Sequence, residues 1–156
     1  MLSNQEVAEE LLGKFGDQVY DFEEPYGLLT LSTTRENIIP VLEFLKNHKS
    51  YQINFLTDLT GVQYPDNKGK EFMVVYHVHS FIHNFRIRLK VSIPEADIHI
   101  PTATGLYASA NWMERETYDF FGILFDGHPN LIRILNIEEM DYFPMRKEYP
   151  LEDATR

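Results

Sequence analysis

Four charged residues stand close together at Glu114, Arg115, Glu116 and Asp119, inside the aromatic stretch from Trp112 to Phe121. Carboxylates held among aromatic side chains can have their pKa values driven apart, one kept protonated as an acid and the other ionised as a base. The same residues can equally form the solvated face of a helix. They can also form a buried ion-pair network, with Arg133, Arg146 and Lys147 as its cations, since arginine grips a carboxylate with both ends of its fork. Residue types alone leave these three readings open. His77 and His79 are two apart, so on a strand they point the same way, and His83 follows in the next turn. Two such histidines could begin a zinc site, but no third or fourth ligand has a fixed place in the sequence, and a polar sheet face is the competing reading. His128, in Gly127-His128-Pro129, reads as a turn residue that donates to backbone or to a partner, because no nucleophile lies near it.

Composition narrows the chemistry. The 156 residues contain no cysteine, which excludes a disulfide, a thiolate nucleophile and any Cys-ligated cluster or zinc. There is no glycine-rich loop to cradle a phosphate and no nucleophile elbow. Formal net charge is −10, from 24 acids against 14 Lys and Arg, a balance that argues against nucleic acid or an anionic membrane as the main partner. Arg86, Arg88 and Lys90 then read as the solvated face of a strand. No apolar run approaches the ~20 residues of a membrane-spanning helix, and the opening MLSNQEVAEELLGKF lacks a secretory pattern. A cytoplasm-facing protein is expected.

The elements that must position these residues can be read in outline. Ser3-Asn4-Gln5-Glu6 is a capping box, followed by Val7, Leu11 and Phe15 at helical spacing and a stop at Gly16. Short strands are expected at 18–22 and 28–32, around a turn at 23–27. Thr33-Thr34-Arg35-Glu36 predicts a second helix over 34–47, with a kink or restart where Pro40 interrupts it. The stretch 54–62 reads as an edge strand plus a turn. Phe72–Ser80 and Phe85–Ile93 form an antiparallel hairpin; strict alternation puts Phe85, Ile87 and Leu89 in the core and Arg86 and Arg88 outside. A third helix is expected over 104–121, capped by Thr104 or Ser109 and ended by a left-handed Gly122. Its wheel gathers Trp112, Glu116, Asp119, Phe120 and Ile123 on one stripe, and Arg115 and Asp119 stand at ion-pair spacing. The fold class is α+β, two-layer, with helices packed on one face of a mostly antiparallel mixed sheet. Residues 1–121 form the domain proper, and 122–156 an irregular partner-binding segment of the same domain.

That last segment carries the strongest pattern. Asn111-Trp112, then Glu114 to Gly122 (E-R-E-T-Y-D-F-F-G), then Gly127-His128-Pro129, Arg133-Ile134-Leu135 and Pro144-Met145-Arg146-Lys147-Glu148-Tyr149-Pro150 follow in fixed order. The span resembles the 30 kDa (C-type) subunit family of NADH-quinone oxidoreductase, respiratory complex I. Leu56–Val62 and Val74–His77 are similar to the family more loosely, and the first 50 residues match only in layout. Where this chain has Met145 and Glu148 the family usually has Leu and Asp, both conservative differences.

The resemblance implies a scaffold: a part of the peripheral arm that binds no flavin, nucleotide or cluster and has no active site of its own. It implies contact with a hydrogenase-like (D-type) neighbour, which holds the quinone pocket, and with other peripheral-arm proteins. It also implies a peripheral position on the cytoplasmic side of the inner membrane. Glu114, Arg115, Glu116, Asp119, His128, Arg133, Arg146 and Lys147 become residues of a partner-facing network. Related proteins of membrane-bound hydrogenases and formate-hydrogen lyase share the pattern, so they stand as one alternative. A stand-alone enzyme using the carboxylate cluster with a His-bound metal is another. The apolar residues between Phe125 and Met145 fit neither a helix nor a hairpin, so this segment is expected to be poorly anchored in the free chain, with Arg146 exposed at its rim.

Overall fold

A computed structural model describes residues 2–149; Pro150, which ends the signature, and the rest of the predicted segment beyond it lie outside the described residues. Helix α1 spans Asn4–Phe15 and opens on the expected capping box: the Glu6 N–H donates to the Ser3 hydroxyl, and the Ser3 N–H donates to the Glu6 carboxylate at 3.1 Å. Strands β1 (Val19–Glu23) and β2 (Leu29–Thr33) pair antiparallel. Helix α2, Ile38–Asn47, begins four residues later than the capping pattern suggested. Pro40 sets that start. In the third helical position its missing N–H is one that would have no intrahelical partner, so the helix forms without a kink.

Strands β3 (Phe55–Gln63), β4 (Phe72–Ser80) and β5 (Phe85–Ile93) complete a five-stranded sheet in the order β1-β2-β5-β4-β3. All pairings are antiparallel except β2 with β5, so the sheet is mixed. The stretch read as edge strand plus turn is one edge strand, with a bulge between Leu56 and Asp58. Alternation holds as predicted: Phe85, Ile87 and Leu89 are buried and Arg86 is exposed. Their face carries the core with Leu29, Leu31, Leu59, Val74 and Tyr76, covered by Val7 and Leu11 of α1 and by Val41, Leu42 and Leu45 of α2.

After β6 (His99–Pro101) the chain makes turns through residues 102–109, and helix α3 runs only over Ala110–Phe121. Tyr107 delays the helix: its hydroxyl donates to the Ile53 carbonyl, which pins the turns to the chain ahead of β3. Ser109 does stand at the N-cap, yet its hydroxyl is 3.4 Å from the Leu56 carbonyl instead of capping the helix. Gly122 is left-handed, as expected. Helix α3 lies on the same face of the sheet as α1 and α2. A Cβ on Gly61 of β3 would come within 2.7 Å of the Phe121 ring, so glycine is what lets this helix approach. Strand β7 (Leu124–Asp126), which the sequence did not announce, pairs in parallel with β6. Ile123 and Phe125 are core residues, so the packed part of the domain continues through β7.

Candidate functional site

The charged residues of α3 separate into two buried carboxyls and two outward groups. Ala110, Glu114, Thr117 and Phe121 form the stripe facing the core. Trp112 and Glu116 are exposed while Asp119 and Ile123 of the same predicted stripe are buried, so that stripe is split between solvent and interior. The reason is that turns 102–109 offer polar groups to the core side of α3. Glu114 is 0% exposed; its carboxylate accepts the Ala103 N–H at 2.6 Å and the Thr102 hydroxyl at 2.5 Å. Burial pushes its pKa up to about 7, against these two hydrogen bonds, and no cation is paired with it among the described residues. The nearby Tyr76 hydroxyl is fully buried and makes no hydrogen bond among the described residues; burial and the Glu114 charge hold its pKa well above the usual value.

Asp119 organises the segment that follows. One carboxylate oxygen accepts Arg133 Nη1 at 2.8 Å and Asn136 Nδ2 at 3.0 Å. The other accepts the backbone N–H groups of Ile134, Leu135 and Asn136 at 2.8–3.1 Å. Burial works to raise this pKa, but the bonds from Asn136, Arg133 and Leu135 outweigh it and hold the group well below the usual carboxylate range. Arg133 is itself buried. Its Nη1 also donates to the Asp119 carbonyl, its Nη2 donates to the carbonyls of Met140 and Tyr142, and its guanidinium lies 4.9 Å from the Phe143 ring centre. Arg115 does not pair with Asp119, whose oxygens are already filled; it donates to the carbonyls of Ile132 and Arg133 instead.

Further along, Arg146 folds inward, with 17% of its side chain exposed. Its Nε donates to the Phe121 carbonyl at 2.8 Å, and its guanidinium lies 5.0 Å from both the Phe72 and the Phe143 ring centres. The expectation of an exposed rim charge is thus corrected. The Lys147 side chain is exposed and joins no carboxylate among the described residues, while its N–H donates to the Gln63 side chain. His128 donates through Nε2 to the Asn111 carbonyl and accepts the Asn130 N–H on Nδ1, so it ties the turn to α3, in keeping with the turn role expected of it. These ties also correct the expectation of a poorly anchored segment. Asp119, Arg133, Arg115, Arg146 and His128 fix it from within, while Leu135 (64% exposed), Ile137 (67%), Trp112, Met145 and Tyr142 face outward.

The histidine pair offers little to a metal. Arg88 Nε donates to His77 Nε2 at 2.8 Å, placing a cation where a metal would bind, and Nδ1 of His77 faces Asp58 at 3.6 Å. Burial, then the Arg88 charge, lowers the His77 pKa. Among the described residues no three His, Asp or Glu are placed to hold a metal ion.

Comparisons with known proteins agree with the signature. The family model for the respiratory-chain NADH dehydrogenase 30 kDa subunit matches residues 31–155. The C-type subunit of NADH-quinone oxidoreductase from Citrifermentans bemidjiense is 43% identical over 156 residues, covering the whole chain and 95% of that protein. Its counterpart from a Nocardioides species is 46% identical over 125 residues, which are 80% of this chain, and there the chain spans about half (50%) of the relative's length. The solved structure of a trypsin-resistant fragment of Nqo5 superposes with a TM-score of 0.69 at 36% identity, covering 81% of this chain and 98% of the fragment. With sequence, signature and fold in agreement, the chain belongs to the family of the 30 kDa subunit of respiratory-chain NADH dehydrogenase.

Proposed function

We propose that the chain is a cofactor-free structural subunit in the peripheral arm of a proton-pumping NADH:quinone oxidoreductase. It sits on the cytoplasmic side of the inner membrane, against the hydrogenase-like neighbour that holds the quinone site. One observation carries this reading: the segment after α3 is built inside out. Its inner face is polar, with Asp119 and Arg133 satisfying one another and six backbone groups of the α3–Tyr142 stretch between them. Its outer face is apolar, with Leu135 and Ile137 about two-thirds exposed. A small monomer has no reason to fix irregular backbone so firmly while turning its apolar side chains to water; a subunit that meets a partner does. The expected role of the carboxylates is to hold that surface in shape, not to move protons in a reaction.

The test is the double substitution Leu135→Asp with Ile137→Asp, which leaves the Asp119 node untouched. The purified full chain should lose less than about 1 kcal/mol of stability, since both side chains are exposed. In native gels of membranes from the variant strain, the assembled complex should fall at least about tenfold, because apolar anchors at an interface centre are each worth about 2 kcal/mol or more. Normal assembly would remove the basis of the proposal. The stand-alone enzyme reading predicts instead about one equivalent of zinc in the purified chain, lost on His77→Ala.

A further inference from the structure

All three helices lie on one side of the five-stranded sheet, and among the described residues no helix covers its other side. Across β3, β4 and β5 that bare side forms a shallow groove of about 390 Å³, lined among others by Thr60, Val62, Met73, Val75, Arg88 and Lys90. The strand register explains the lining. Thr60 stands opposite Val75 and Val75 opposite Lys90, while Val62 stands opposite Met73. The groove therefore has an apolar floor, with Val75 only 9% exposed at its base and Val62 and Met73 half-buried, beside two cations.

Those cations have donors to spare. Arg88 is held by its Nε bond to His77, and its Nη nitrogens make no hydrogen bond among the described residues. The nearest acid to Lys90 is Glu23 at 3.7 Å, too long for a hydrogen bond. In a chain of net charge −10, an arginine and a lysine lined up with Arg86 along β5 are a local reversal of sign. Glu23 and Asp58 stand at the two margins, 3.7 Å from Lys90 and 3.6 Å from His77. Marginal acids oppose a phosphate-dense partner such as nucleic acid or an anionic membrane, which favours unbroken positive surface. They do not oppose a carboxylate directed by an apolar neighbour onto one cation at a time.

We propose that this groove is a second docking surface, which takes an acidic segment of another protein subunit, its carboxylates on Arg88 and Lys90 and an apolar side chain on Val62, Met73 and Val75. The chain then bridges two neighbours, one at the outer face of the C-terminal segment and one across the sheet. This inference rests on the proposed role as a subunit of a complex.

A photoreactive p-benzoylphenylalanine replacing Thr60 in the complete chain, assembled in native membranes, tests it; the same probe replacing Leu135 reports on the first interface. The cross-linked peptides are sequenced by mass spectrometry. Position 60 should capture a segment of a different subunit in which Asp or Glu residues flank an apolar one. Lys90→Glu should cut that yield at least about tenfold while sparing capture from position 135, because like charges set against each other across an interface are strongly unfavourable. Ser92→Glu, which adds an acid opposite Met73 without removing a cation, should act in the same direction. Capture from position 135 but not from 60 overturns the second surface alone. So does capture from 60 of lipid, nucleic acid, a second copy of this chain or a segment without acids, or a yield indifferent to both charge changes. Failure at both positions overturns the subunit reading and this inference with it.

Discussion

Asp119 and Glu114 are both buried carboxyls on one short helix, yet their surroundings push them in opposite directions. Asp119 is surrounded by donors, and its folded pKa lies below the unfolded value near 3.8; the stability it contributes is present above that value and is lost as pH falls through the folded pKa. Glu114 has two donors and no cation, and its folded pKa of about 7 lies above the unfolded value of 4.5. The folded state therefore binds the extra proton, and stability should decline between about pH 4.5 and 7 by something on the order of 3 kcal/mol. Glu114→Gln should flatten that decline in urea melts run across this window. An unchanged slope would mean that another group is responsible. At Asp119 the change to Asn leaves the Arg133 guanidinium buried without a countercharge, and a loss of about 3–5 kcal/mol in the purified chain is expected. The sequence presented the four charged residues of α3 together, and it could not say which two turn inward. That depends on Thr102, Ala103, Arg133 and Asn136, whose backbone N–H groups and side-chain donors are distant in sequence.

At the scale of elements, patterns that depend on near neighbours were legible and those that depend on distant ones were not. The capping box of α1, the β4–β5 hairpin and the left-handed Gly122 each follow from a few adjacent residues, and each is present. The late starts of α2 and α3 arise from Pro40 and from the Tyr107–Ile53 tie, the second of which joins residues 54 positions apart. Strand β7 is only three residues long and is defined by its pairing with β6, so it has no periodicity to detect. Gly122 shows how an element end can serve two demands. Its φ is +75°, and an added Cβ would lie 2.5 Å from the Phe143 ring and 2.8 Å from Arg146 Nη2. Gly122→Ala should therefore cost more than the ~1–2 kcal/mol of left-handed backbone alone, because the Phe143–Arg146 stack must move as well. Calorimetry of the purified variant checks this; a loss of less than about 1 kcal/mol would show that the stack yields freely.

Among the described residues the molecule is two layers, three helices on one face of a mixed sheet, as the sequence pattern indicated. The pairing inside that sheet has a consequence for the chain as it is made. Strand β2 is hydrogen-bonded to β1 on one side and to β5 on the other, and β5 follows about 60 residues later in parallel register, Leu29 beside Ile87. Ribosomes add roughly 5–20 residues per second, so the first third of the polypeptide waits several seconds before the strand that closes its core has emerged. During that wait Leu29, Leu31, Val41 and Leu42 have no sheet centre to pack on, and one edge of β2 is open to any strand that comes near. Nascent chains stalled with β5 still inside the exit tunnel should be digested by protease throughout α1–α2, whereas chains stalled well beyond β7 should resist. Early resistance would show that the N-terminal elements settle without the centre of the sheet. Otherwise the stretch of synthesis in which this chain offers the most open apolar surface to a chaperone lasts until its central strand has left the ribosome.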